Sequence, residues 1–290
     1  RIPASSGASR PGGRFGSLFL GLLASRTSDA GGTRLARLMK IGFLGAGSMA
    51  TALARGFAEP ALAYDVDPER ARALAEAVRG EAVESAGELA RRADVVVLAH
   101  KPAHLEEAAV EVAGTAKAVV SIVAATPVAR LEEVYPDTPV YRFIPNIPAE
   151  VGRGVFCYVA GSRAADGPEQ DLLRLFGRAG AVIALDEPLL EPATAVMSCG
   201  PAFLALVVEA LADAGSRHGL DPDQALRLVV ETMAGTAAYL DANGLDAEEL
   251  RARVATPGGL TERGLRLLED RGLRDALDGA VDLVEESARA

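Results

Sequence analysis

Tryptophan is absent from this 290-residue chain, and cysteine, histidine and lysine are scarce. The two cysteines, Cys157 and Cys199, are far apart and outside any CxxC spacing, which argues against a disulfide framework or a cysteine metal site and fits a reducing, cytoplasmic compartment. The three histidines, His100, His104 and His218, are too scattered for a structural zinc centre; His100 and His104 have the spacing to meet on one helical turn, but no third ligand accompanies them. Lysine is confined to Lys40, Lys101 and Lys117, so arginine supplies nearly all positive charge. A net charge of −10 with no basic block argues against nucleic acid or an anionic membrane as partner. The apolar run Phe15–Ala24 falls short of the roughly 20 residues that a membrane span needs.

What the chain does contain is ordinary globular material: 49% hydrophobic and 24% charged residues, enough length for one large or two moderate domains. Residues 1–38 stand apart. They carry six arginines against one acid, Asp29, and are rich in serine and glycine. Such a stretch reads as a disordered extension, with a transit segment or a true start at Met39 as the alternatives. The fold argument therefore begins at Met39.

From there, strand and helix patterns alternate. Lys40–Leu44, Ala61–Asp65, Asp94–Ala99, Ala118–Ala124, Val140–Ile144, Val155–Val159 and Ala181–Leu185 are short β-rich runs. DVVVLA and AVVSIVA show no polar alternation, as expected of strands buried on both faces of a parallel sheet. Helices are expected at Ser48–Glu59 and from the Asp67-Pro68 cap to Val78. After about Asp186 the strands stop. Glu187–Arg217, Pro222–Leu240, Ala247–Val254 and Leu260–Ser287 read as helices with apolar stripes. The expectation is an α/β protein: a Rossmann-type doubly wound sheet over residues 39–186, then an all-helical domain, 187–290, that completes its core by dimerising.

Gly45-Ala46-Gly47-Ser48-Met49-Ala50 fits G-x-G-x-x-G/A between a strand and a helix. Gly45 permits the tight turn, Gly47 lets backbone approach a pyrophosphate, and Ala50 allows close helix–strand packing. In isolation such a motif is weak; its strand–turn–helix setting makes it specific. Asp65 follows Gly45 by 20 residues, where an acid can bond both ribose hydroxyls and repel a 2′-phosphate, favouring NAD(H) over NADP(H). The competing reading makes Asp65 a loop acid or cap. His100-Lys101-Pro102 and Pro145-Asn146-Ile147-Pro148 come after two other strands at the same sheet edge. Lys101 either reaches the dinucleotide or is a solvated loop lysine; the Asn146 amide either faces nicotinamide and substrate or only forms a turn.

Two helical segments break local rules. Ser198-Cys199-Gly200-Pro201 places Gly-Pro inside an apolar helix, at a cost of about 3 kcal/mol or more unless the kink has a use. Thr256-Pro257-Gly258-Gly259-Leu260-Thr261 places free backbone N–H groups and two hydroxyls at a helix start, an anion-binding arrangement, or else a plain capping loop.

Taken together, IGFLGAGSMA, VVLAHKP, YRFIPNIPAEVGRGV, SCGPAFLALVVEALADAGSRHGL and ATPGGLTERGL resemble the pyrroline-5-carboxylate reductase family from Met39 to near the end of the chain. ATPGGLTERGL is the most specific segment. The family usually has a small apolar residue where His100 stands, Ser-Gly where Ser198-Cys199 stand, and Ser and Thr/Ala where Thr256 and Leu260 stand. The resemblance implies NAD(P)H-dependent reduction of a cyclic imine to L-proline by a homodimer that swaps helices of its C-terminal domain and can assemble further. It also implies that Thr256 and the Gly258–Gly259 backbone hold the substrate carboxylate and that Thr261 bonds the ring nitrogen.

The residues agree with such chemistry. A protonated imine needs only hydride at carbon, so no strong general base is required. Rates then come chiefly from holding donor and acceptor about 3–3.5 Å apart. β-Hydroxyacid dehydrogenases share this layout but need a helical-domain lysine, and none exists here. A reductase of another cyclic imino acid and a catalytically silent NAD-binding sensor remain the alternatives.

Overall fold

The computed structural model describes residues 39–289; the expectations for residues 1–38 lie outside the described residues. Eight strands form one sheet among them: β1 (Ile41–Leu44), β2 (Ala61–Tyr64), β3 (Glu81–Ala82), β4 (Val95–Leu98), β5 (Val119–Ser121), β6 (Val140–Ile144), β7 (Gly154–Ala160) and β8 (Gly180–Ala184). Their order is β3-β2-β1-β4-β5-β6-β7-β8, and every pairing is parallel except β6 with β7. That exception has a local cause. Only residues 145–153, with the short turn Ile147–Val151, separate β6 from β7, and a parallel pair would need a longer crossover.

Helices α1 (Ser48–Phe57), α2 (Pro68–Ala77), α3 (Ala86–Arg92), α4 (Leu105–Val112), α5 (Val128–Val134) and α6 (Glu169–Ala179) cover both faces. The strand runs show why two faces are needed. Ile41 and Phe43 of β1, with Val95 and Val97 of β4, pack in one cluster with α1 and α6; Leu44, Val96 and Leu98 pack in another with α3 and α4. Successive side chains of a strand point to opposite faces, so an unbroken apolar run means both are dry. The chain reverses its direction of travel across the sheet between β1 and β4, which opens a crevice at their carboxyl ends.

Beyond the sheet run α7 (Leu190–Ala193), a π-helical turn (Thr194–Ser198), α8 (Gly200–Arg217), α9 (Pro222–Ala242), α10 (Ala247–Val254), α11 (Leu260–Asp270) and α12 (Leu273–Arg289). Three details depart from the sequence expectation. The two-residue β3 is too short to leave a hydrophobic pattern. The stretch Leu260–Ser287 is two helices, because Gly272 adopts φ 74° and ends the first of them. The expected helix Glu187–Arg217 is also not regular: the wide turn comes just before Gly200-Pro201 and absorbs the proline.

By length and composition the stretch Glu187–Arg217 is long and apolar enough to cross a membrane, and 17% of its most apolar window is buried within one chain. Leu204, Leu206 and Leu211 of α8 and Leu226, Leu228 and Val230 of α9 are all exposed, while Ala212 and Ala225 are their only buried residues. Helical faces this apolar need a second surface to pack against.

Candidate active site

The glycine loop lies between β1 and α1. Gly45 has φ +102°, and a Cβ there would sit 2.7 Å from the carbonyl carbon and oxygen of Ala99, so the fold itself requires glycine. Gly47 differs. Its φ is −75°, and an added Cβ would meet nothing within 4 Å. The space above it is what its missing side chain leaves clear. No side chain caps α1, so the first N–H groups of that helix remain available to an anion.

Asp65 reaches back to this loop. Its Oδ2 accepts the Ala46 N–H at 2.7 Å and its Oδ1 accepts the Asp67 N–H at 2.9 Å. A cavity of about 540 Å³ opens beside it, lined among others by Gly45, Gly47, Asp65, Arg70, His100 and Lys101. A second, of about 490 Å³, includes Ala46, Gly47, Ser48, Thr51, Arg55 and Arg70. Gly47 and Arg70 border both cavities, so the two flank the loop. Volumes of this size suit small organic ligands. Arg55 is paired with Glu150, and Arg70 with Asp67 at 3.4 Å.

Of the residues singled out from sequence, Gly45, Ala46, Gly47, Ser48, Asp65 and Lys101 border these cavities; Met49 and Pro102 do not. Asn146 lines neither of these two cavities. It is buried, its Oδ1 accepts the Val155 N–H at 2.8 Å, and its Nδ2 donates to the Met197 carbonyl at 2.9 Å. The amide is turned toward protein.

Two features were missed in the sequence. His100 is among the residues lining the larger of these cavities. Its Nδ1 lies 2.9 Å from the Lys101 carbonyl oxygen, so Nδ1 carries the proton, and its buried Nε2 lone pair has no partner. Burial pulls the imidazole pKa below its ordinary value and keeps the ring neutral. The second is an ion cluster. Arg142, 3% exposed, donates to Glu187 Oε1 at 2.9 Å and to Glu191 Oε1 at 3.2 Å, while the Val128 N–H also donates to Glu187 Oε1 at 2.8 Å. It ties the sheet to the start of the helical half. A lone arginine in a strand gives no sequence signal for partners 45 and 49 residues away.

The Thr256–Thr261 turn is exposed and borders neither cavity. Gly258 has φ +75° and its N–H donates to Glu262 Oε2 at 2.7 Å; the Gly259 N–H donates to the Thr256 carbonyl at 2.9 Å. A Cβ on Gly259 would come within 2.5 Å of the Thr256 hydroxyl. One carboxylate therefore already rests on the turn. Thr261 is the second residue of α11, which begins with no side-chain cap.

Comparison with known proteins matches residues 187–290 to a family model described as pyrroline-5-carboxylate reductase dimerisation, and residues 40–125 to one described as NADP oxidoreductase coenzyme F420-dependent. A pyrroline-5-carboxylate reductase of Mycobacterium tuberculosis is 35% identical over 277 residues, covering 84% of this chain and 94% of the relative. One from Glycine max is 31% identical over 262 residues, covering 86% and 94%. Among solved structures, the Plasmodium falciparum pyrroline carboxylate reductase with NADP bound aligns at TM-score 0.77 and 27% identity over 87% of this chain and 97% of that one. The 1-pyrroline-5-carboxylate reductase of Streptococcus pyogenes aligns at TM-score 0.79 and 26% identity over 86% and 98%.

Proposed function

Because this chain belongs to the pyrroline-5-carboxylate reductase family, it is an oxidoreductase of proline biosynthesis, and we propose how its residues divide the reduction of 1-pyrroline-5-carboxylate to L-proline. Its cofactor is a nicotinamide dinucleotide and its helical region is a dimerisation domain. The dinucleotide supplies the hydride. Gly47 and the open N terminus of α1 hold its pyrophosphate, and the Asp65 carboxylate meets the adenosine ribose. That negative charge, against a 2′-phosphate, makes NADH the preferred form, with NADPH accepted less well.

The substrate carboxylate takes the Gly258–Gly259 backbone, where the Gly258 N–H is held by Glu262 and the Gly259 N–H by the Thr256 carbonyl until substrate binds, and the Thr256 hydroxyl. Thr261 then bonds the ring nitrogen and holds its proton as the adjacent carbon receives hydride. No residue has to remove a proton, which agrees with a helical half that contains no lysine. In this reading the partner subunit brings the turn to the cleft, which agrees with the turn bordering neither of the two cavities described.

The observation that carries this reading is the Gly47 opening: a cleared helix N terminus at the sheet's switch point, facing the carboxyl edge of β1 and β4. The test is to incubate the protein with pyrroline-5-carboxylate and NADH and measure loss of NADH absorbance together with proline formation. Oxidation of NADH with no proline formed would reject it.

A further inference from the structure

Pro201 has no N–H, so the carbonyl four residues earlier, that of Met197, loses the donor a regular helix would provide. The Asn146 amide takes the place of that donor: Nδ2 donates to the Met197 oxygen at 2.9 Å. The other end of the amide is anchored in the sheet, where Oδ1 accepts the Val155 N–H at 2.8 Å in β7. A second tie runs alongside, from Ser198 Oγ to the Pro145 carbonyl at 3.4 Å. Between them lies the wide turn, in which the Cys199 N–H bonds Thr194 five residues back at 3.2 Å. Asn146 itself is 5% exposed and lies between Pro145 and Ile147-Pro148, whose prolines stiffen the loop on either side of it.

These contacts define a brace. β6 ends at Ile144, at the same carboxyl edge of the sheet as β1 and β4, and α8 starts at Gly200 and leads into the helical half. We infer that Asn146 is a positioning residue for hydride transfer, bonding β7 on one side and the kinked start of α8 on the other so that the sheet and the helical dimerisation region, through which the partner's turn is brought to the cleft, are held at a fixed angle. The inference rests on the proposed reduction of a cyclic imine. One residue of slippage in a helix shifts the downstream chain by about 1.5 Å and turns it by about 100°. Hydride transfer tolerates little of this, since a displacement of about 1 Å lowers rates by roughly 100-fold. Asn146 touches no substrate; it acts through the turn it holds.

Asn146→Asp separates the two limbs of the brace. It keeps an acceptor for Val155 and places an oxygen against the Met197 carbonyl, where a donor is needed. Its kcat is expected to fall roughly 10- to 100-fold, while NADH affinity, read by fluorescence titration, stays within about twofold. The primary isotope effect with NADH deuterated at the transferred hydrogen should rise as the hydride step becomes limiting. Hydrogen exchange in residues 194–203 of the substrate-free protein should quicken. Pro201→Ala gives Met197 a backbone donor again, so in that background the same substitution should cost much less in kcat.

An unchanged kcat, or an equal loss in both backgrounds, would overturn the positioning role. A uniform loss of NADH binding would also overturn it, by showing general collapse. Wild-type protein that reduces no imine, combined with quickened exchange in Asn146→Asp, leaves the brace intact and removes the proposed reaction. No change in exchange removes the brace itself.

Discussion

Glu262 Oε2 sits 2.7 Å from the backbone nitrogen of Gly258, on one of the N–H groups assigned to the substrate carboxylate. The same side chain lies 3.7 Å from Arg266 and stands in the first turn of α11, where an acid is favoured by the helix dipole. Substrate must displace it, and must also approach against its charge. Glu262→Ala is therefore expected to lower KM for pyrroline-5-carboxylate by roughly three- to tenfold with kcat little changed, at a stability cost of about 0.5–1 kcal/mol. Steady-state kinetics and a melting curve check this. A KM that stays the same or rises would mean that the carboxylate does not compete at Gly258.

The two loop glycines should behave in opposite ways. A Cβ at Gly45 meets Ala99 backbone at 2.7 Å and demands φ +102°, so Gly45→Ala strains the folded chain itself. It should lower stability by about 1–3 kcal/mol or more. Gly47→Ala finds open space and an ordinary φ, so its melting temperature should stay close to wild type, while the new methyl group stands where pyrophosphate approaches. NADH Kd should then weaken roughly tenfold or more. Normal NADH binding by Gly47→Ala would remove that residue from the cradle.

That contrast also measures what sequence could carry. The G-x-G-x-x-A spacing pointed to the loop and its acid, because a strand, a turn and a helix are local patterns with local rules. Seven of the eight strands were legible as apolar runs; β3, with two residues, has no pattern to read. Asn146 was visible as unusual, but not its job, since its partners Val155 and Met197 lie on different elements. The buried Arg142–Glu187 pair was hidden for the same reason. His100 was placed at the sheet edge and weighed as half of a histidine pair, but nothing short of the folded crevice shows its unpartnered Nε2.

Asp65 controls cofactor choice if its charge meets the ribose. Its carboxylate is already oriented by the Ala46 and Asp67 N–H groups, so it is held in place rather than free to swing from a phosphate. Asp65→Ser keeps an oxygen and removes the charge, while Arg70 still borders the cavity. The ratio of kcat/KM for NADPH over NADH should rise by roughly tenfold or more, equivalent to about 1.4 kcal/mol. An unchanged ratio would show that the preference is set elsewhere.

Acid should weaken the fold through His100. Burial lowers its pKa in the folded chain, whereas in the unfolded chain it returns to about 6.5. As pH drops below that value the unfolded state takes up a proton that the folded state refuses, so unfolding becomes easier. Stability linked to His100 is thus fully present above pH 6.5 and is lost as pH falls toward the folded-state pKa. His100→Gln carries no such proton and keeps a polar group facing the Lys101 carbonyl. Its melting temperature should decline less steeply than wild type on going from neutral to mildly acidic pH, whatever the offset between the two proteins at neutrality. Parallel curves would show that His100 titrates alike in both states, and that its Nε2 is neither as enclosed nor as neutral as the crevice makes it.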